Sequence, residues 1–177
     1  MRLGRKICLN YFEGKYSKMT KREISIYEGN HESAKYIQKR LIEFNIKQVP
    51  FEGTIILEPI NIVMENGEGQ IVGGINATII QYWSRCHIDT FWIEEGYRGN
   101  GYGRKLLENV EKNAFDKGCR LIQLETYSFQ APNFYIKNGY DIIGVVKNHP
   151  EEHSQYFLKK VIDESRGRFA VHHRGQA

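Results

Sequence analysis

Arg98-Gly99-Asn100-Gly101-Tyr102-Gly103-Arg104 stands between a run rich in β-branched and aromatic residues, Ile88-Asp89-Thr90-Phe91-Trp92-Ile93, and a run in which Leu106, Leu107, Val110, Ala114 and Phe115 recur with helical spacing. Three glycines at alternate positions let the chain turn tightly and bring N–H groups close to a ligand with no Cβ in the way. A helix starting there adds unpaired N–H donors and the positive end of its dipole. Two arginines bracket the turn. Strand, glycine turn and helix in that order predict a holder for a phosphate-bearing ligand.

Two common glycine turns do not fit. Gly96 and Gly101 have P-loop spacing, but Tyr102-Gly103 stands where the lysine and hydroxyl would handle a γ-phosphate and Mg²⁺. Gly99, Gly101 and Gly103 break the G-x-G-x-x-G spacing of the dinucleotide fingerprint, and Glu125, 22 residues beyond Gly103, does not discriminate. Arg98, Gly101 and Gly103 do satisfy R-x-x-G-x-G.

Working outward, Glu23-Ile24-Ser25-Ile26-Tyr27 alternates like a first strand, and Asn30 can cap a helix with Ala34, Ile37, Leu41 and Phe44 on one face. Strands are expected at about 54–64 and 70–83, with Asn66-Gly67 between them as a hairpin signal. A strand over 86–94 leads into the glycine turn, and the following helix should stop at Lys117-Gly118. A strand at 121–126, a short helix at about 132–137 and a strand pair at 140–146 and 155–161 complete the chain. The result is α+β, a mixed sheet with helices on both faces.

The R-x-x-G-x-G pattern resembles the pyrophosphate-binding loop of the GNAT superfamily of acetyl-CoA-dependent N-acetyltransferases. A second segment, Ser128-Phe129-Gln130-Ala131-Pro132-Asn133-Phe134-Tyr135-Ile136-Lys137-Asn138-Gly139-Tyr140, is similar to that family's N-x-x-A-x-x-F-Y-x-x-x-G-F. Ala131, Phe134, Tyr135 and Gly139 match, Tyr140 replaces Phe, and Ser128 replaces the Asn that contacts the pantetheine arm. A hydroxyl can replace one hydrogen bond of that amide but not two. His149 to His153, before Tyr156-Phe157-Leu158-Lys159-Lys160, also resembles the last hairpin of one bacterial subgroup. The likeness covers about 23–161 and implies a GNAT-like acyl-CoA N-acyltransferase fold, with acetyl-CoA as cosubstrate and no metal.

It also implies roles. Arg98, Gly99, Asn100, Gly101, Tyr102, Gly103 and Arg104 would anchor the pyrophosphate, mostly through backbone N–H groups. Phe91 would donate its N–H to the acetyl carbonyl, Ile93 would pair with pantetheine amides, and Ser128 and Ala131 would line the arm. Tyr135 would be the general acid, a phenol that can protonate a departing thiolate. For the base, Asp89 is expected first and His87 second; strict alternation puts His87, Asp89, Phe91 and Ile93 on one face, with Asp89 roughly 6–7 Å from Phe91 along the strand. Glu125 could orient an amine or belong to a surface pair.

Charge partitions unevenly: residues 1–22 carry seven Lys/Arg and one Glu, and 165–177 carry three Arg and no acid, so the body between them is net acidic although the chain is +4 overall. An acidic body with basic ends is unlike a nucleic-acid-binding domain and suits a cationic amine. Residues 1–18 and 165–177 are expected to be basic extensions, disordered or foreign to the native protein, around one catalytic domain at 19–164. His172-His173 lacks further ligands for a metal. Cys8, Cys86 and Cys119, odd in number, read as reduced thiols of a cytoplasmic protein, and the chain has neither an 18-residue apolar run nor a signal-peptide core. The expected reaction is acetyl transfer to a primary amine of a small molecule by direct attack in a ternary complex, since no cysteine lies in either motif to carry an acyl-enzyme. A non-catalytic acyl-CoA-binding or regulatory domain of the same fold is the alternative. Tyr36, Phe44, Glu52, His149, Glu151, Glu152 and His153 fall in segments that build acceptor pockets in this fold. A homodimer is a family-level expectation.

Overall fold

The computed structural model describes residues 24–52 and 57–163, which belong to two compact units divided at Glu52/Gly53. In the first, the helix α1 (His31–Gln48) begins with a reciprocal cap: Asn30 Oδ1 accepts from the Ser33 N–H at 3.0 Å, and Ser33 Oγ accepts from the Asn30 N–H at 2.8 Å. Residues 24–27 form no strand, and Ile24, Ile26 and Tyr27 are exposed, which corrects the expected first strand. Alternation over so few residues cannot form a ladder without a neighbouring edge to pair with. Glu23, the expected strand start at 54–56, and the basic ends with His172 and His173 lie outside the described residues.

The second unit is a mixed six-stranded sheet in the order β1-β2-β3-β4-β6-β5. Its strands are β1 (Leu57–Glu65), β2 (Ile71–Ile80), β3 (Arg85–Ile93), β4 (Leu121–Tyr127), β5 (Asp141–Lys147) and β6 (Ser154–Val161), with α2 (Tyr102–Asp116) between β3 and β4 and α3 (Pro132–Lys137) between β4 and β5. Asn66 fixes the β1–β2 turn, its Oδ1 accepting from the N–H groups of Glu68 and Gln70 at 3.0 and 2.9 Å. Among the described strands, only β3 and β4 pair in parallel.

Ile75, Ala77 and Ile79 of β2, Cys86 and Ile88 of β3, Ile122 and Leu124 of β4, and Leu158 of β6 are buried against Leu106, Leu107, Val110 and Ala114 of α2. Tyr135 of α3 joins the same core, so α2 and α3 share one face. One charged pair lies within it: Lys160 Nζ donates to Glu111 Oε1 at 2.6 Å, with both side chains almost fully buried and the ammonium 5.3 Å from the Tyr140 ring centroid.

Two irregularities of β3 shape everything that follows. Its pairing with β4 runs from Arg85↔Leu121 to Ile88↔Leu124 and stops, although both strands continue. Its pairing with β2 passes from Ala77↔Ile88 to Asn76↔Thr90, which leaves Asp89 as a bulge with no counterpart. An extra residue bends a strand and sharpens its twist, so β3 and β4 splay apart from this point.

Candidate active site

The bulge changes which side chains share a face. Thr78 pairs with His87 and donates its hydroxyl to Asp89 Oδ2 at 2.7 Å, while Ile75, a core residue, pairs with Phe91. His87 and Asp89 therefore lie on one side of the sheet, and Phe91 and Ile93 on the other, with α2 and α3. Strict alternation predicts one face for all four; the inserted residue reverses the phase of the strand's second half.

Two clefts follow, one on each side. The larger, about 850 Å³, runs from the open end of β3 to the start of α2 and to α3, and Phe91, Ile93, Arg98, Gly99, Gly101, Gly103, Arg104, Ala131 and Tyr135 line it. The smaller, about 450 Å³, lies across the opposite face and is lined by Arg85, His87, Gln123 and Phe157 among others. Asp89 and Glu125, the first residues beyond the last β3–β4 pair, line both.

At the start of α2, Gly99 and Gly101 have φ of +78° and +80°, conformations that favour glycine, and a Cβ at either would meet nothing within 4 Å. Gly101 is the N-cap and has no side chain to bond the first-turn N–H groups, nor is there an acid in that turn. The result is an uncapped positive helix end opening on a cleft. Gly103 serves a different need, since a Cβ there would sit 3.3 Å from the Phe134 ring. Arg98 Nε donates to the Ile93 carbonyl at 2.8 Å and ties the turn to the end of β3. Arg104 Nε pairs with Glu108 at 2.8 Å, both exposed, and that bond pushes the guanidinium's pKa up. Asn100 Nδ2 donates to the Arg98 carbonyl at 3.2 Å, and the Tyr102 ring lies under Lys105; neither residue lines the cleft.

At the other end Tyr135 is buried, its ring edge-on to Phe91 with centroids 6.3 Å apart. Burial pushes its phenol up to about 12, so it stays protonated through any ordinary working pH. Ser128 lies outside the cleft lining: its Oγ is 3.2 Å from His153 Nδ1 and accepts from the Ser154 N–H at 3.2 Å. Gln130 lines the cleft, its Oε1 accepting from the Tyr127 N–H at 2.9 Å and from Thr126 Oγ1 at 3.0 Å. Sequence reasoning passed over Gln130 and Arg85; Gln130 falls at an unspecified position of the second motif and Arg85 outside both, and only the splay gives them a cleft to face. Glu125 accepts from Gln155 Nε2 at 2.6 Å. Tyr36, Phe44 and Glu52 belong to the other compact unit. No group of three or more His, Cys, Asp or Glu with metal-holding geometry occurs among the described residues.

A family model described as the acetyltransferase (GNAT) family matches residues 20–140. Blasticidin-S acetyltransferase of Streptomyces morookaense is 33% identical over 93 residues, 52% of this chain and 67% of that protein. The crystal structure of an acetyltransferase from Bacillus cereus ATCC 14579 superposes with a TM-score of 0.70 at 41% identity, covering 77% of this chain and 96% of that one. The structure of an aminoglycoside 6'-N-acetyltransferase complexed with coenzyme A shares the fold, with a TM-score of 0.53 at 21% identity over 76% of this chain and 82% of that one.

Proposed function

This chain belongs to the acetyltransferase (GNAT) family, and from that premise we propose that it moves the acetyl group of acetyl-CoA to a primary amine of a small molecule, by direct attack with both substrates bound. One observation carries the reading: two clefts on opposite faces share a pair of carboxylates, Asp89 and Glu125, where β3 and β4 part. The α2-side cleft fits the cosubstrate. Its glycine turn offers backbone N–H groups and a helix end with no internal cap to a diphosphate. Along the strand gap, Ile93, Ala131 and Gln130 would border the pantetheine arm, with Ser128, just past the end of β4, bonded to Ser154 at the start of β6.

Acetyl-CoA supplies the activated acetyl thioester. Phe91 would present its backbone N–H to the acetyl oxygen, a preorganised donor that strengthens as charge develops there. Asp89 takes, through one water, the proton that the amine nitrogen must lose as it bonds to the acetyl carbon, and His87 lies two residues away on the same face. As the carbon–sulfur bond breaks, Tyr135 gives its proton to the departing sulfur and recovers one from solvent, so the sum is an amide, a free thiol and one proton released from the ammonium form of the amine. A phenol shifted to about 12 is a weak acid; it can serve here because the same dry wall disfavours a thiolate.

Thiol release from acetyl-CoA, measured across a panel of amines with the native chain and with Tyr135→Phe, tests this reading. Coenzyme A binding should persist in the variant while turnover falls. Binding without turnover on any amine would point instead to a non-catalytic acyl-CoA-binding domain.

A further inference from the structure

The second cleft holds charges of both signs that lack partners of the opposite sign. Arg85 Nη1 donates to Gln123 Oε1 at 3.0 Å, a neutral partner, and its buried Nε has no hydrogen-bond partner among the described residues. Arg85 takes part in none of the ion pairs among those residues, and neither do Asp89 and Glu125, which are held only by Thr78 and Gln155. A half-buried guanidinium without an anion loses hydration that one neutral bond does not fully replace, whereas Asp89 and Glu125 are exposed and stay hydrated, open to a cation. One ligand with both charges would satisfy both.

Resting on the acetyltransferase reading, with the cosubstrate in the α2-side cleft and the amine therefore in this one, we infer that the acceptor is an ω-amino carboxylate: an amine that also carries an anionic group, held by Arg85 at the closed end of β3 while the amine reaches Asp89 and Glu125 at the splay. The spacing selects the class. The Arg85 guanidinium rests on Gln123, two residues before Glu125 on β4, and two strand residues span about 6–7 Å. An α-amino acid offering its own α-amine has its two charges too close together to reach both ends. A chain of several methylenes spans the gap, and Ile80, Ile143 and Phe157 give it apolar walls. Arg suits the anionic end because its planar fork matches two carboxylate oxygens.

The test compares 6-aminohexanoate, hexylamine and glycine as acceptors, in acetyl transfer and in calorimetric titration of the coenzyme A-loaded full chain. A charge-assisted contact at Arg85 predicts kcat/KM for 6-aminohexanoate at least about tenfold above hexylamine, with glycine inactive. In Arg85→Gln, which can still bond Gln123, the preference disappears while hexylamine is handled as before; Arg85→Lys restores part of it. Equal or better use of hexylamine, an equal loss on both amines in Arg85→Gln, or no detectable binding of 6-aminohexanoate to the loaded protein overturns the inference. Failure to take up coenzyme A at all would instead overturn the acetyltransferase reading beneath it.

Discussion

The two halves of β3 differ in one respect, and the chemistry follows the difference. From Arg85 to Ile88 the strand is paired on both sides, and Cys86 and Ile88 are sealed into the core. Beyond the bulged Asp89, from Thr90 to Ile93, it is paired with β2 alone, and its free edge borders a cleft. The first half spends its backbone groups on the sheet; the second keeps one row of them for a ligand. A single bulged residue at the junction both ends the closed half and sends Asp89 and Phe91 to opposite faces.

The largest expected effect probes the sealed region. Burial above all, with the charges of Cys119 and Asp89 behind it, pushes the Cys86 thiol from 9.0 up to about 12, and burial pushes Tyr135 from 10.0 up to about 12. Tyr140 is raised well above its ordinary value by burial and by Glu111. In the unfolded chain the first two groups ionise near 9 and 10, while in the fold they stay protonated. Their contribution is therefore whole below pH 9 and lost between pH 9 and 12, at about 1.4 kcal/mol for each tenfold weakening of a buried acid. Urea unfolding across that range should show the fall, and Cys86→Ala should reduce the part that begins near pH 9. Constant stability to pH 11 would contradict it.

Next comes the charged pair beneath β4 and β6. Glu111→Leu leaves the Lys160 ammonium buried and alone, which should cost about 3–5 kcal/mol in denaturant unfolding. Adding Lys160→Met should recover most of that. No recovery would mean that the ammonium is not the source of the loss.

The open half is probed by Tyr135→Phe. Loss of a general acid predicts a fall in kcat of about a hundredfold or more, with coenzyme A affinity unchanged by calorimetry; a parallel loss of binding would make the tyrosine a packing residue. Smallest is Gly101→Ala. Its Cβ has room, but φ of +80° does not suit it, so the turn should relax when free, and re-forming it should weaken coenzyme A binding by about 1–2 kcal/mol. Unaltered affinity would place the ligand away from this turn.

The glycine turn was legible because its signal is local: glycines at positive φ, then a helical stripe, with the ends of α2, β4 and α3 within a residue or two of expectation. The Asn66-Gly67 hairpin was legible for the same reason. The faces of His87, Asp89, Phe91 and Ile93 were not, because period-two reasoning assumes an unbroken ladder, and Asp89 carries no mark of a bulge until β2 is laid beside it. The bonds of Ser128 were not legible for a related reason, since a motif position names a place but not the bond that a neighbour such as Ser154 makes there. Arg85 and Gln123, far apart in sequence, become a pair only through the register of β3 on β4.

Calorimetric titration of the full chain with coenzyme A and with pantetheine, which has the arm but no diphosphate, tests the central claim most directly. The start of α2 as a diphosphate cradle predicts binding of coenzyme A at least about a hundredfold tighter than pantetheine, as several charge-assisted backbone contacts would give. Equal affinity for the two, or no uptake of coenzyme A by the folded protein, would contradict it.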